Sequence, residues 1–204
     1  DRYLATAATE DAAATYYKSC ECGEKGEETF SYGEPLDHTH KLAEGWTSDE
    51  NGHWHACSGC DKKVDFAEHT FGAWIASTAE GKVERSCSVC GKVETTEGVG
   101  VSTAEELWNK IQSGENVFLL KDISVNGRVE LSQDTYVNLN GCKLSFDSPV
   151  IMEKSTDSYE VYLINGNVEF VAATASHGSN SFELYEKTLL HIENVVYSSN
   201  IGGI

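Results

Sequence analysis

The stretch His53-Trp54-His55-Ala56-Cys57-Ser58-Gly59-Cys60 places two thiols three residues apart and sets histidines just before them. Two further cysteine pairs flank this stretch, Cys20/Cys22 upstream and Cys87/Cys90 downstream. The first cysteines of successive pairs lie 37 (57 − 20) and 30 (87 − 57) residues apart. Paired thiols at such intervals are typical of a modular array in which metal ions or disulfides cross-link each copy.

The middle pair has the ligands that zinc prefers. Cys57 and Cys60 place both sulfurs on one side of a tight turn, and His53 and His69 bracket them. Two thiolates and two imidazoles can close a tetrahedron, and such mixed ligands favour Zn²⁺ over hard cations. His55 competes with His53, and a Cys57–Cys60 disulfide, reduced thiols or another metal are the alternatives. A closed four-ligand site leaves no position for substrate, so the role predicted for zinc is structural.

The first pair has a less complete ligand set. Cys20 and Cys22 are one residue apart, and His38 and His40 follow at a spacing that could return to the thiols. We therefore expect a second zinc site from these four residues, with two reduced thiols and two solvated histidines as the alternative.

The third pair, Cys87 and Cys90, is a further candidate for metal binding, but the next histidine after it is His177. His69 could serve this pair only by leaving the middle site. A degenerate repeat or a local disulfide is an equally good interpretation.

The two halves of the chain differ in physical character. Residues 1–97 are polar and rich in turn residues, and we expect three cross-linked repeats at about 1–38, 39–68 and 69–97. Such a segment buries too little apolar surface to offset its conformational entropy without cross-links. Residues 98–204 are predicted to form a second domain, and residues 94–101 look like a linker.

The second domain is predicted to begin with a helix and to continue in short strands. Ser102-Thr103-Ala104-Glu105 fits a capping box, and the helix after it would place Leu107, Trp108 and Ile111 on one face. Asn-Gly pairs separate the later apolar runs, at residues 126–127, 140–141 and 165–166. The predicted strands are Val117–Leu120, Val129–Leu131, Tyr136–Leu139, Val150–Met152, Val161–Ile164, Val168–Val171, Phe182–Tyr185, Thr188–Ile192 and Val195–Tyr197.

Charge and hydropathy exclude some functions. Asp and Glu outnumber Lys and Arg by 33 to 15, so the chain lacks the basic face that nucleic acids require. We expect no nucleic-acid partner and no membrane insertion in this fragment, because no stretch approaches the roughly 18 apolar residues of a spanning helix. We interpret the sequence as part of a larger protein.

Two resemblances extend these predictions. The patterns around Cys20, Cys57 and Cys87, with Glu68-His69-Thr70-Phe71-Gly72-x-Trp74 between the last two, resemble the tandem zinc-ribbon-like repeats of large surface proteins from Gram-positive gut bacteria. The helix followed by short strands resembles the start of right-handed parallel β-helices of the pectin-lyase-like kind. Together they imply a mostly β chain: zinc-ribbon-like repeats, then the N-terminal cap and first coils of a β-helix.

The resemblances also imply a location and a class of function. They place the protein outside the cell, on the bacterial surface or secreted, as an adhesin-like, non-enzymatic module that binds a host protein or glycan. Host immunoglobulin is one such partner, as for B-cell superantigens. The alternative is the N-terminal part of a carbohydrate-active β-helix enzyme.

Catalytic groups are not evident in the sequence, and we predict neither catalytic nor cofactor-binding residues, so an enzyme is the weaker interpretation. The candidate carboxylates form no tight pair; they are Asp122, Asp134, Asp147, Asp157, Glu169, Glu183 and Glu193. For binding, Tyr159, Tyr162, Tyr185 and Tyr197 could line an outer face if their strands turn them outward.

Overall fold

The computed structural model describes residues 3–9, 12–36, 40–153, 155, 157–171 and 182–200. Over these residues the chain is mostly β-strand with one α-helix, as predicted. Its contacts divide it into two compact units, Asp1–His69 and Thr70–Ile204. The sequence analysis placed the division at residue 97. The observed division lies after His69, and the third cysteine pair therefore belongs to the second unit.

The first unit contains two antiparallel three-stranded sheets, and each sheet lies within one of the predicted repeats. One joins β1 (Leu4–Thr6), β2 (Ala14–Ser19) and β3 (Lys25–Tyr32) in that order. The other joins β4 (Leu42–Ser48), β5 (Gly52–Cys57) and β6 (Lys63–Glu68). Both are simple meanders, so neighbouring strands pair through short connections.

Buried apolar side chains are scarce in this unit. Among its described residues, the only hydrophobic side chain in the buried class is Ala14. The residues of β4 are exposed along its whole length, and in β5 only Gly52 and His53 are buried. Burial of apolar area is the main favourable term in folding, so this unit must obtain its stability from other interactions.

The second unit begins with a third antiparallel sheet of β7 (Ile75–Ala76), β8 (Lys82–Ser86) and β9 (Val93–Glu97). The side chain of Asn140 ties this sheet to the strands that follow. Its Oδ1 accepts a hydrogen bond from the Trp74 backbone at 2.8 Å, and its Nδ2 donates to the Trp74 and Leu119 carbonyls at 2.9 Å. These bonds explain why the third sheet groups with the second unit.

The predicted linker is ordered structure. Residues 94–101 lie in β9 and β10 (Val99–Val101), joined by Gly98. Gly98 has φ +149°, and a Cβ there would lie 2.5 Å from the Phe118 ring, so only glycine fits this close approach. The chain thus passes from the antiparallel sheet into the parallel one without a flexible segment.

Helix α1 (Ala104–Gln112) follows, capped one residue later than predicted. Thr103 is the N-cap, its side chain accepts the Glu106 N–H, and the Glu106 carboxylate accepts the backbone N–H of Thr103 in return. Leu107 and Ile111 are buried, as the amphipathic pattern predicted. The helix therefore covers the strands with its apolar face.

Parallel strands form the rest of the unit. They are β11 (Val117–Leu119), β12 (Ile123–Val125), β13 (Val129–Leu131), β14 (Thr135–Asn138), β15 (Lys143–Phe146), β16 (Val150–Met152), β17 (Tyr159–Val171), β18 (Phe182–Leu184) and β19 (Thr188–Asn200). The strands β12 and β15 were not predicted, and β17 and β19 each merge two predicted strands.

The pairing makes one curled parallel sheet and one smaller parallel sheet. The curled sheet has the order β10-β11-β14-β17-β15-β12, with β19 also paired to β17. The smaller sheet has the order β13-β16-β18. Successive strands are matched residue to residue, for example Tyr136 with Tyr162 and then Tyr162 with His191.

One continuous apolar core lies inside these strands. It comprises nineteen buried side chains, from Val101 to Phe170, including Leu119, Leu139 and Met152 at 0% exposure. Stacked parallel strands bury a hydrophobic face only against their neighbours, so this core depends on the whole set of strands. Within the described part of the chain, we find no helix with the length and apolar character needed to cross a membrane.

Candidate functional site

The structure brings three potential metal ligands together in the first unit. The donor atoms of His40, Cys57 and Cys60 all lie within 4.8 Å of one another, and none of the three side chains is fully buried. His40 Nδ1 lies 3.5 Å from Cys60 Sγ. Sulfur and nitrogen ligands of a tetrahedral zinc ion, bound at about 2.3 and 2.05 Å, lie about 3.6 Å apart. The observed separation therefore fits two ligands of one zinc ion.

Strand register places His40 beside the thiols. Leu42 in β4 pairs with Cys57 in β5, and the Ser58 N–H donates to the Lys41 carbonyl at 3.1 Å. The residue before Lys41 is His40, so the pairing of β4 with β5 carries the imidazole to the turn.

The turn itself brings a backbone donor to one of the thiols. The backbone N–H of Gly59 points to Cys57 Sγ at 3.5 Å. A hydrogen bond of this kind would help to orient a sulfur that binds a metal ion.

This grouping differs from the predicted set. We expected His53 and His69 to join Cys57 and Cys60, but among the described residues the histidine grouped with this pair is His40. His55, the alternative to His53, instead has its Nδ1 3.0 Å from the Ala43 carbonyl.

His53 and His69 remain together in the first unit. Their ring centres are 5.6 Å apart, and His53 is 1% exposed, packed edge-on against Trp46. His69 Nε2 lies 2.9 Å from the Asp49 carbonyl oxygen. A histidine whose Nε2–H donates to a carbonyl keeps the Nδ1 lone pair for a ligand.

Asp49 organises the turn that presents His53. Its carboxylate accepts the backbone N–H groups of Asn51 and Gly52 and pairs with Lys63 at 2.6 Å. The hydrogen bond from Lys63, followed by those from the backbone, lowers the pKa of Asp49 to about 2. The turn therefore keeps a charged carboxylate over the whole neutral range.

The first cysteine pair is a disulfide, between Cys20 and Cys22. These thiols are therefore not ligands in this structure, which replaces the predicted zinc site at this pair. Of the two histidines assigned to that site, His38 lies outside the described residues, and His40 belongs to the group with Cys57 and Cys60.

The third pair keeps its thiols in the second unit. Cys87 is 2% exposed and Cys90 is partly buried, and neither is in a disulfide. The Gly91 N–H donates to the Cys87 carbonyl at 3.0 Å, which closes a tight turn between the two cysteines. This turn has the compact form expected of a Cys-x-x-Cys ligand pair.

A second feature of the second unit is a row of rings on the outer side of the curled sheet. Tyr136, Tyr162 and His191 occupy matched positions on β14, β17 and β19, with ring centres 6.3 and 4.2 Å apart. Tyr162 donates a hydrogen bond to Glu160, and His191 Nε2 lies 3.1 Å from the same carboxylate. The bond to Glu160 raises the pKa of Tyr162.

A groove runs beside this row. Its volume is about 510 Å³, and its walls include Asn116, Asp134, Ser158 and Glu160 together with the two tyrosines. Glu160 and His191 are each 42% exposed, so their polar atoms reach solvent. We call the set Asp134, Tyr136, Glu160, Tyr162 and His191 the outer face.

Three of the candidate catalytic carboxylates instead bond to backbone. Asp122 accepts the Lys143 N–H at 2.8 Å, Asp134 accepts the Glu160 N–H at 2.9 Å, and Asp147 accepts the Gly127 N–H at 2.7 Å. Each bond joins residues 20 to 26 positions apart, which lie next to neighbouring parallel strands. These side chains therefore have a clear structural role.

The tyrosines divide between the core and the surface. Tyr159 is buried, and its hydroxyl donates to the Leu131 and Glu153 carbonyls at 2.6 and 2.9 Å. Tyr185 and Tyr197 are about half exposed, at 52% and 46%. Of the four candidates for an outer surface, Tyr159 is therefore wrong.

Comparison with known proteins adds no relative. The chain matches no protein-family model, no curated protein and no solved structure.

Proposed function

We propose that this chain is a non-enzymatic binding module of a secreted or cell-surface bacterial protein. In it, structural zinc bound by Cys and His cross-links the N-terminal repeats, and a parallel β-sheet displays a face to a host protein or glycan. We further propose that the curled sheet is the start of a right-handed β-helix with α1 as its cap.

The observation that carries the metal part is the His40–Cys57–Cys60 group in a unit with almost no buried apolar side chains. Small domains without a sufficient core are usually cross-linked by disulfides or metals. Two thiolates and an imidazole are ligands that zinc prefers over calcium or magnesium. The disulfide at Cys20–Cys22 joins residues two apart, so it constrains only its own turn and leaves the metal as the cross-link of the unit.

The outer face supports the binding part. Tyrosine and histidine rings with an acidic neighbour offer apolar area and hydrogen-bonding groups in the same place, as in many protein and carbohydrate contacts. The strands that carry Tyr136 and Tyr162 contribute buried residues to the continuous core, which holds these two rings in place. Host immunoglobulin is the specific partner we propose to test first.

The experiment compares binding and turnover on the same preparation. The full chain is passed over immobilised host immunoglobulin and mucin, and separately incubated with mucin and pectin-like glycans. Tyr162→Ala should weaken binding roughly tenfold or more, as for a residue central to an interface. Tyr185→Ala is the matched control, since Tyr185 is exposed but lies outside the outer face.

Two results would overturn the proposal. Glycan turnover that is lost when Glu160 is replaced would favour the carbohydrate-active enzyme. Equal loss of binding in Tyr162→Ala and Tyr185→Ala would show that the outer face is not the contact surface.

A further inference from the structure

A cavity lies in the second unit between α1 and the inner side of the parallel strands. Its volume is about 380 Å³. Leu107 and Ile111 line it from the helix, and Val137 and Leu144 line it from the strands. All four side chains belong to the core and are 7% exposed or less. Protein interiors are close-packed and contain few voids larger than a water molecule, so a space of this size inside a core is a candidate binding site.

The size of the cavity suits a small molecule. Ligand pockets in proteins usually have volumes of about 300 to 1,000 Å³. A cavity of about 150 Å³ with aliphatic and aromatic walls is large enough to bind benzene. The present cavity, at about 380 Å³, is roughly two and a half times as large. It therefore has room for a molecule of two or three rings, or for an aliphatic chain of similar volume.

The walls of the cavity are apolar in the interior and charged only where it opens. Thr135 is a buried polar residue of the wall, and its hydroxyl already donates to the Gln133 carbonyl at 3.0 Å. Among the described lining residues, charge is confined to Glu105 and Arg128, and both are exposed. We call the end of the cavity at Glu105 and Arg128 the mouth. A ligand inside the cavity therefore contacts mainly aliphatic and aromatic side chains.

The charges at the mouth disfavour an anionic ligand. Arg128 is the cation there, and its Nε already pairs with Glu130 at 2.5 Å. Glu105 adds a negative charge, and the whole chain has a net charge of −18, which repels anions. A charged group of either sign would lose its hydration in the apolar interior without gaining a partner. The chemistry of the cavity therefore favours an uncharged ligand.

We propose that this cavity binds an uncharged, largely apolar small molecule between α1 and the parallel strands, with any hydroxyl group of the ligand at the mouth. The inference goes beyond the proposed function and does not depend on it. Thr135 and Val137 line the cavity, whereas Tyr136 between them belongs to the outer face. Successive side chains of a strand point to opposite sides. The cavity and the outer face therefore lie on opposite sides of β14, and either can fail without the other.

A dye titration of the full chain tests this inference. The probe is N-phenyl-1-naphthylamine, an uncharged dye whose fluorescence rises in apolar surroundings, and we expect saturable binding of one dye per chain. Val137→Phe fills part of the cavity and should weaken binding at least about tenfold. Val196→Ser is the control, because Val196 is 65% exposed on β19 and removing it takes away apolar surface outside the cavity. This control should bind within about twofold of the wild type.

Competition tests the class of ligand. The compounds 1-octanol and octanoate have chains of the same length and differ in charge. The alcohol should displace the dye at a concentration roughly tenfold lower than octanoate does. Displacement by octanoate at an equal or lower concentration would overturn the assignment of an uncharged ligand.

A measurement on the wild type keeps the test valid if Val137→Phe does not fold. In NMR spectra, the bound dye should give nuclear Overhauser effects to the methyl groups of Val137 and Leu144, which line the cavity. Effects only to exposed methyl groups of β19, such as those of Leu189 and Ile192, would overturn the inference. The absence of saturable binding to the wild type, or undiminished binding to a folded Val137→Phe, would overturn it as well.

Discussion

Replacing Cys60 by serine tests the idea that a metal ion, rather than a core, stabilises the first unit. The serine removes one of the three grouped ligands at the turn after β5. Because every residue of β4 is exposed, β4 has little to hold it once the ion is lost. We expect local opening of Leu42–Ser48 while the parallel strands of the second unit stay closed.

The size of the effect follows from mass action. A ligand that binds only the closed form stabilises it by RT ln(1 + [L]/Kd), which is about 2.7 kcal/mol at a free concentration of 100 Kd. Amide exchange in β4 should therefore be roughly 100-fold slower in the zinc-bound wild type than in Cys60→Ser. In the wild type this protection should rise about tenfold for each tenfold rise in free zinc.

Hydrogen exchange with peptide-level mass spectrometry measures this directly. Cys142→Ser is the matched control, because Cys142 is a partly buried thiol in the second unit whose Sγ lies 3.8 Å from the Leu119 carbonyl. It should leave exchange in β4 unchanged. Exchange in β4 that is independent of zinc, or equally fast in both variants, would refute the reasoning.

Three further predictions concern the second unit. Phe170→Ala empties a fully buried position and should cost about 3–5 kcal/mol of unfolding free energy, measured by urea denaturation; a cost below 1 kcal/mol would contradict the assigned core. Asn140→Ala removes three hydrogen bonds to Trp74 and Leu119 and should expose the Trp74 ring, seen as a shift in its fluorescence; an unchanged spectrum would contradict the bridging role. Backbone hydrogen bonds, led by that from Ser102, lower the pKa of Glu106, so its contribution to stability is present above the unfolded pKa and is lost as pH falls through the folded pKa. Thermal unfolding of Glu106→Gln should therefore depend less on pH below about 4.3 than that of the wild type, and equal pH dependence would contradict this.

The sequence predicted the ligand types better than their partners. The paired cysteines and the nearby histidines were found from spacing alone. His40 lies 17 residues before Cys57 (57 − 40), whereas His53 lies only four before it (57 − 53), so spacing favoured His53 over the histidine that the structure groups with this pair. The partner is chosen by the pairing of Leu42 with Cys57, and strand register is not readable from one short polar strand.

The first residue of the helix could not be predicted from the sequence either. Ser102-x-x-Glu105 and Thr103-x-x-Glu106 both fit the capping-box pattern. Choosing between them shifts the start of the helix by one residue, and in the structure Glu106 accepts the N–H groups of both Ser102 and Thr103. The local pattern therefore predicted the helix but not which of the two adjacent residues caps it.

Alternation along β17 explains both the outer face and the error at Tyr159. In the first part of the strand Tyr159, Val161 and Leu163 are buried, so the positions between them, including Tyr162, turn outward. Tyr159 is at an odd-numbered position and Tyr162 at an even-numbered one, so their side chains point to opposite faces while the strand is regular. The sequence contained this constraint, because the aliphatic residues fix which parity points inward.

At a bend in the same strand the inward-facing positions change from odd to even numbers. Asn165-Gly166 marks this bend in the sequence. Asn165 has φ +59°, and beyond it the buried residues are Val168 and Phe170, at even positions. Asn194 occupies the corresponding bend of β19 with φ +53°, and its Nδ2 donates to Asn165 Oδ1 at 3.3 Å. Asparagine tolerates the left-handed conformation that such a bend requires. The bend turns two short predicted strands into one long strand that pairs with both β14 and β15, and so it creates the curled sheet on which the outer face is built.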